Sequence, residues 1–187
     1  MSRAGYVLVG GRSSRMGRDK ALLPFRGGVL VESVARAVAS AARSAILVGD
    51  PARYAAFGYP VIADLFPGEG PLGGILTALG HTTAEWNLVV ACDMPAISAE
   101  FLGRILQAAE QSDGDALVPV GPSALPEPLC AAYRRRSRSA LEAAFAGGER
   151  KVMAALAAVK VARWPMADLE PFQNVNTPED WSGYAAE

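Results

Sequence analysis

Short apolar stretches alternate with segments of helical character along almost the whole chain, and this alternation restricts the fold more than any other feature. Strands are predicted at residues 6–9, 45–48, 61–63, 87–91, 116–120, 129–133 and 160–164. Helices are predicted at residues 29–42, 71–79, 99–111, 138–145 and 151–159. Continuously apolar strands that are separated by helices are typical of a mostly parallel sheet covered on both faces. The sequence therefore predicts a three-layer, Rossmann-like α/β fold.

The length and composition of the chain indicate one globular domain that does not bind nucleic acid. Its 187 residues are 51% hydrophobic and 20% charged, and the formal net charge is −1. A chain of this size buries enough apolar surface to fold unaided, and a chain without a basic surplus has no general attraction for DNA or RNA. The basic cluster at 134–138 is interpreted as a solvated helix start rather than a binding patch. We predict a single domain over residues 1–187.

Several classes of protein are disfavoured by the same composition. No segment approaches the roughly 20 apolar residues that a membrane span requires, and the N-terminus leads into strand-like residues without a secretory leader. We therefore expect a cytoplasmic protein that does not contact a membrane. Cys92 and Cys130 lie in apolar strand contexts and are predicted to be buried free thiols. With His81 as the single histidine, no zinc ligand set exists, and we assign His81 no catalytic role.

A loop rich in glycine and basic residues follows the first predicted strand. It contains Gly10, Gly11 and Gly17, together with Arg12, Arg15, Arg18 and Lys20. Glycines let consecutive backbone N–H groups approach a ligand, and arginine and lysine side chains suit a polyphosphate. The spacing matches neither a Walker A loop nor a dinucleotide fingerprint. The loop is interpreted as a nucleoside triphosphate site, and the alternative is a plain turn with a solvated basic face.

Two carboxylates follow later strands of the predicted sheet. Asp64 comes after the strand at 61–63, and Asp93 comes after the strongly apolar strand at 87–91. Because ligands in such sheets bind beyond the carboxyl ends of the strands, both carboxylates and the glycine loop should face one crevice. Asp93 could hold Mg²⁺, which prefers oxygen ligands and shares its shell with phosphates, or it could cap the turn at Pro95. Arg15 and Lys20 are candidates for neutralising the triphosphate.

Asp64 is also a candidate for base recognition. Guanine offers two adjacent N–H donors that one carboxylate can accept, whereas cytosine and uracil lack that pair. The alternative, that Asp64 caps the turn that follows its strand, is nearly as well supported.

Four segments resemble the sugar-nucleotide-type nucleotidyltransferases, and among these the molybdenum cofactor guanylyltransferase family. They are residues 8–20, Gly70-Pro71-Leu72-Gly73-Gly74-Ile75, Ala91-Cys92-Asp93-Met94-Pro95 and Asn174-Val175-Asn176-Thr177-Pro178-Glu179-Asp180. The first and third are shared with related cytidylyl- and uridylyltransferases. The second and fourth are more particular to the guanylyl family.

This resemblance implies a nucleotidyltransferase fold with a nucleotide half at 1–95 and a second-substrate half at 96–187. The implied catalytic residues are Arg15, Lys20 and Asp93, with Asp93 as the ligand of Mg²⁺. The implied binding residues are Leu8, Val9, Gly10, Gly11, Lys20, Asp64 and Gly73 for the nucleotide, and Asn174 and Asn176 for the second substrate. Arg150 and Lys151 could meet the phosphate of that substrate. The chain departs from the family at Gly49, where asparagine is frequent, and at Glu127, where a His-Pro pair is frequent.

The implied reaction joins GTP and Mo-molybdopterin into the guanine dinucleotide form of the cofactor and releases pyrophosphate. The resemblance also allows transient contacts with other cofactor-biosynthesis proteins or with molybdoenzymes. One alternative is a nucleotidyltransferase that uses CTP, either for the same pterin or for a sugar or polyol phosphate. A second alternative, from a different class, is a nucleotide-binding module without turnover.

Overall fold

The protein is described here by a computed structural model, which covers residues 1–10, 19–122 and 124–166. The strands are β1 (Arg3–Leu8), β2 (Pro24–Phe25), β3 (Gly28–Val29), β4 (Ile46–Val48), β5 (Val61–Ile62), β6 (Trp86–Ala91), β7 (Ala116–Val120), β8 (Cys130–Arg134) and β9 (Val161–Pro165). The α-helices are α1 (Leu30–Ala42), α2 (Pro51–Tyr54), α3 (Pro71–His81), α4 (Ala99–Gln111), α5 (Arg138–Ala146) and α6 (Val152–Ala155). Short 3-10 helices span Lys20–Leu22, Ala55–Phe57, Arg135–Ser137 and Leu156–Ala158.

Seven strands form one central sheet in the order β5-β4-β1-β6-β8-β7-β9. All neighbours pair in parallel except β8, which is antiparallel to both β6 and β7. Leu8 pairs with Val48 of β4 and with Ala91 of β6, so three strands end level with one another. The mostly parallel sheet confirms the predicted fold class.

Helices cover both faces of this sheet and give the three predicted layers. One apolar core contains Val34 of α1 and Leu102 of α4, and it includes Leu88 of β6. The opposite core contains Leu76 of α3 and Leu141 of α5, and it packs against other residues of the same sheet. Strands buried between two helical layers need apolar side chains on both faces, which explains why β6 is apolar except at Asn87, whose amide donates to the carbonyl oxygens of Ala84 and Tyr133.

Three parts of the chain differ from the elements that its sequence predicts. The hairpin β2–β3 was not predicted, because each strand has two residues; its turn places Arg26 and Gly27 at positive φ, as a tight hairpin requires. Helix α2 was also missed, although Asp50 caps it through the amide of Ala52 at 2.9 Å. The predicted helix at 151–159 is wrong as one element, since four α-helical residues pass into a 3-10 helix.

The prediction for the two cysteines is confirmed. Cys92 and Cys130 are buried free thiols. No helix in the described ranges is long and apolar enough to cross a membrane. The segment Asn174-Val175-Asn176-Thr177-Pro178-Glu179-Asp180 lies outside the described residues.

Candidate active site

The first strand delivers the glycine loop to the carboxyl edge of the sheet. Val9 extends β1, because its amide donates to the carbonyl oxygen of Val48 at 3.0 Å. Gly10 follows with φ +115°, and a Cβ built there would meet nothing within 4 Å. This left-handed backbone with open space beside it suits close approach of a ligand. Gly11 and Arg15 lie outside the described residues, so their contacts stay predictions.

Lys20 and Asp93 meet at this edge, as the sequence predicts. The Lys20 Nζ atom lies 3.7 Å from Oδ2 of Asp93, and the two side chains are 20% and 27% exposed. Burial raises the pKa of the Asp93 carboxyl, while the charge of Lys20 counteracts part of that rise. A partly desolvated carboxylate that relies on a nearby cation for its charge is suited to binding a metal ion.

Asp19, which the sequence analysis did not single out, fixes the backbone that carries Lys20. Its Oδ1 accepts the amide of Ala21 at 3.1 Å and thereby caps the 3-10 helix Lys20–Leu22. Its Oδ2 accepts the hydroxyl of Tyr54 at 2.7 Å and lies 3.5 Å from Nη2 of Arg53. Burial and the bond to Asp19 both raise the pKa of Tyr54, which is only 1% exposed, so its hydroxyl remains a donor. The sequence feature that could have indicated this role is an aspartate directly before a helix, which is the position of a capping residue.

Asp64 caps the turn after β5 with one of its two oxygens. Its Oδ1 accepts the amide of Phe66 at 3.0 Å and lies 3.0 Å from Oγ1 of Thr77. The amide of Leu65 donates to the same Thr77 hydroxyl at 3.1 Å. Within the described parts of the chain, Oδ2 of Asp64 makes no hydrogen bond. The capping interpretation therefore holds for Oδ1, while Oδ2 is available for the predicted contact with guanine.

Two glycines at the start of α3 pack closely against neighbouring side chains. A Cβ on Gly73 would lie 2.7 Å from Cβ of Phe66, and a Cβ on Gly74 would lie 3.0 Å from Cδ2 of Leu8. Helix α3 therefore sits directly against the end of β1 and the loop that Asp64 caps. Packing explains Gly73, and the predicted nucleotide contacts of Gly73 and Leu8 stay predictions.

The departure from the family at Gly49 has a steric cause. A Cβ at this position would lie 2.2 Å from the carbonyl oxygen of Val9 and 2.8 Å from its Cγ2. The neighbouring Asp50 is exposed and caps α2, so its carboxylate is engaged in local structure. The end of β4 thus packs tightly against the backbone that leads into the glycine loop.

Glu127 lies at the same edge of the sheet as Asp93, but it precedes a strand instead of following one. It lies in the connection before β8, where its amide donates to the carbonyl oxygen of Pro119 at 2.9 Å. Burial, and secondarily the charge of Asp93, raise the pKa of the Glu127 carboxyl. The described residues contain no group of three or more His, Cys, Asp or Glu side chains that could hold a metal ion. Among the described residues, a cation at this edge would have few protein ligands, which leaves coordination positions for water or for substrate phosphates.

The residues assigned to the second substrate are only partly described. Asn174 and Asn176 lie outside the described residues, and their role stays a prediction. Arg150 is described, and its guanidinium contacts Glu69 and the carbonyl oxygen of Phe145. These contacts bring the loop after α5 against the loop that precedes α3.

Gly10, Lys20 and Asp93 lie at the carboxyl ends of parallel strands, the edge at which α/β sheets bind their ligands. Residues 5–161 match the family model described as the MobA-like NTP transferase domain. This chain belongs to that family. The prediction of the family and of its enzymatic class from the four sequence segments is confirmed.

Individual relatives agree with this assignment over nearly the whole chain. The probable molybdenum cofactor guanylyltransferase of Clostridium perfringens is 30% identical, covering 97% of this chain and 95% of its own length. The molybdenum cofactor guanylyltransferase of a Shewanella species is 33% identical, covering 97% and 94%. The crystal structure of molybdopterin-guanine dinucleotide biosynthesis protein A from Archaeoglobus fulgidus has a TM-score of 0.83 and 30% identity, covering 97% and 96%.

Proposed function

We propose that this chain transfers GMP from GTP to Mo-molybdopterin, which forms molybdopterin guanine dinucleotide and releases pyrophosphate. The observation that carries the proposal is the Lys20–Asp93 pair at the carboxyl edge of the sheet. The chain belongs to the MobA-like NTP transferases, and relatives named for this reaction match it along nearly their full lengths.

Enzymes of this class generally use a divalent metal, and we propose Mg²⁺ held by Asp93. The donor set fits this ion, because one protein carboxylate with phosphate oxygens and water is a common way of binding Mg²⁺. When bound, the ion supplies positive charge that neutralises the phosphates of the nucleotide. The raised pKa of the Asp93 carboxyl fits a group whose ionised form is completed by a cation.

The protein's own contribution is to position the reactants and stabilise charge. Lys20 supplies an ammonium group beside the phosphates, and Arg15 is proposed to grip them from the glycine loop. The terminal phosphate of molybdopterin attacks the α-phosphorus of GTP in line, and pyrophosphate leaves. Since the attacking phosphate is already ionised, no side chain has to act as a general base. Such catalysis depends on orientation and electrostatics.

Guanine recognition is proposed for Asp64. Asp64 follows β5 at the same carboxyl edge of the sheet at which Asp93 follows β6, and the contacts of its Oδ1 with the amide of Phe66 and the hydroxyl of Thr77 restrain the carboxylate. A fixed acceptor facing two adjacent N–H donors favours guanine over cytosine, whose matching edge carries an acceptor.

The second substrate is proposed to bind on the side of β7 and β8, with Asn174 and Asn176 among its contacts. Residues 1–95 would then carry most of the nucleotide site, and residues 96–187 most of the pterin site. We also propose transient contacts with proteins that supply the pterin or receive the dinucleotide. A location in the cytoplasm is consistent with these partners.

The direct test is pyrophosphate release by the purified chain, supplied with Mg²⁺, Mo-molybdopterin and each of the four ribonucleoside triphosphates in turn. GTP should support turnover at least tenfold faster than CTP, ATP or UTP. Release with CTP in preference to GTP would support the cytidylyl alternative. Binding of GTP without any release would support a nucleotide-binding module.

A further inference from the structure

The side chain of Arg150 joins two loops that belong to opposite halves of the site. Its Nε donates to Oε2 of Glu69 at 2.5 Å, in the loop that precedes α3. Its Nη1 donates to the carbonyl oxygens of Phe145 at 2.8 Å and Glu149 at 3.0 Å. Its guanidinium carbon also lies 4.0 Å from the centroid of the Phe145 ring. One arginine is thereby held by four contacts, three of which are hydrogen bonds.

The loop at 64–70, which Arg150 contacts, is the one that begins with the proposed guanine acceptor. Thr77 fixes its first part, through the contacts of its hydroxyl with Asp64 and with the amide of Leu65. Phe66, the third residue of the loop, provides another attachment, because its ring packs on the ring of Phe145 with centroids 4.8 Å apart. The contact of Arg150 with Glu69 adds a further attachment near the end of the loop.

The loop at 147–151 has an internal structure that supports this arginine. Oε1 of Glu149 accepts the amide of Arg150 at 2.8 Å and the amide of Lys151 at 2.7 Å. Gly148 provides the positive φ of +97° that the turn after α5 needs. The arginine is therefore presented toward Glu69 from a turn whose backbone is fixed locally.

The hydrogen bonds of Arg150 argue against a direct grip on a phosphate. A guanidinium holds two oxygens through two parallel N–H groups along one edge. Here Nε and Nη1 both donate to protein oxygens, and within the described residues only Nη2 has no protein acceptor. A bidentate grip would require at least one of these bonds to break.

We propose that Arg150 is a positioning residue for guanine recognition, which it supports by holding the loop at 64–70 through Glu69 and Phe145. This inference rests on the proposed function, since it assumes that the loop reads guanine. It replaces the expectation that Arg150 meets the phosphate of the second substrate. Through this contact, the turn after α5 in the second-substrate half sets the geometry of the nucleotide half.

The test compares GTP and ATP binding by calorimetry, with Mg²⁺, for Glu69→Ala, Arg150→Ala and the double variant. Each single change should weaken GTP binding about fivefold, the upper range for a partly exposed ion pair, and change ATP binding less than twofold. The double variant should be no weaker than Arg150→Ala, because both changes break one connection. A purely structural role would lower the melting temperature without altering the preference for GTP over ATP.

The matched control is Arg138→Ala. Arg138 pairs with Glu142 at 2.6 Å within α5, and the two side chains are 44% and 41% exposed, close to the 42% and 49% of Arg150 and Glu69. This variant should bind GTP like the wild type. If an alanine variant folds poorly, Glu69→Gln removes the charge at nearly constant size and should show the same selective loss.

Three results would overturn the inference. Unchanged GTP binding in Arg150→Ala would show that Arg150 does not support nucleotide binding. Equal losses for GTP and ATP would show that it does not act on guanine recognition, and additive losses in the double variant would show that it does not act through Glu69. If the wild-type protein prefers GTP and Arg150→Ala binds GTP equally well, this inference fails and the proposed function stands. A wild-type protein without any preference for GTP refutes the proposed function, and the inference with it.

Discussion

The two sides of the crevice are built by different means. On the side where the nucleotide is proposed to bind, called the nucleotide side below, β1, β4, β5 and β6 are parallel, and each approaches the site with its carboxyl end. On the other side, β8 runs in the opposite direction and brings its amino end and the preceding loop to the same edge. Side chains such as Asp64 therefore follow a strand, whereas Glu127 precedes one.

This difference determines what could be predicted from the sequence. Asp93 and Asp64 were predicted from a local rule, since residues that follow buried parallel strands share one edge. The position of Glu127 depends on the reversal of β8, which no periodicity encodes. Asp19 and Arg150 depend on partners far away in the chain, Tyr54 and Glu69, and those contacts appear only after folding.

The family was recognised for a related reason. Its motifs are concentrated in loops at strand ends, where short runs such as Gly70-Pro71-Leu72-Gly73-Gly74 remain readable without the fold. The elements that were missed, the hairpin β2–β3 and α2, have two to four residues each. Such short elements are stabilised by turns and caps, and they lack the periodicity on which strand and helix predictions depend.

The largest effect is expected on the nucleotide side, at Asp93. Asp93→Asn keeps the shape of the side chain and removes the charge that would hold the metal, so pyrophosphate release should fall about 10³-fold. The fold should be retained, because the change removes a partly buried charge whose pKa is raised by burial. Asp50→Asn is the control, since asparagine can also cap α2 and activity should be normal. Near-normal turnover in a folded Asp93→Asn protein would remove Asp93 from the catalytic site.

A comparably large effect, limited to dinucleotide formation, is expected from the two asparagines proposed to bind the second substrate. Alanine at both Asn174 and Asn176 should abolish dinucleotide formation while GTP affinity, measured by calorimetry, stays within about twofold of the wild type. The reason is that both amides are proposed to bind the second substrate, so their loss leaves polar groups of that substrate alone without partners. A large loss of GTP affinity would place these residues on the nucleotide side and break the division into two halves.

A smaller effect is expected from the hydrogen bond by which Tyr54 of α2 holds Asp19 on the nucleotide side. Tyr54→Phe removes the 2.7 Å hydrogen bond to Asp19, and we expect the free energy of unfolding to fall by about 2 kcal/mol. Turnover should fall several-fold, because Lys20 follows Asp19 directly. Tyr59→Phe is the matched control, since the Tyr59 hydroxyl has no hydrogen-bond partner among the described residues. Equal stability of the two variants in urea would show that the Asp19 contact contributes nothing.

The smallest effect concerns Glu127, and its sign depends on pH. Burial raises the pKa of this carboxyl above its unfolded value, so ionised Glu127 opposes folding. The free-energy cost of ionising Glu127 in the folded protein is absent at pH values below the pKa of Glu127 in the unfolded chain. It is complete at pH values above the pKa of Glu127 in the folded protein. Glu127→Gln should therefore raise the melting temperature at pH 7 to 8 and leave it nearly unchanged near pH 3.5. A lower melting temperature at pH 7 would indicate that ionised Glu127 has a stabilising partner.

The central claim is that the Lys20–Asp93 edge transfers the α-phosphoryl group of GTP, with its nucleoside, to a phosphate acceptor. The most direct measurement follows the label from GTP carrying ³²P at the α or the γ position, in the presence of Mg²⁺ and Mo-molybdopterin. Label from the α position should enter a pterin dinucleotide, and label from the γ position should leave as pyrophosphate. Release of γ label as inorganic phosphate, or α label that remains only in GTP, would contradict the account.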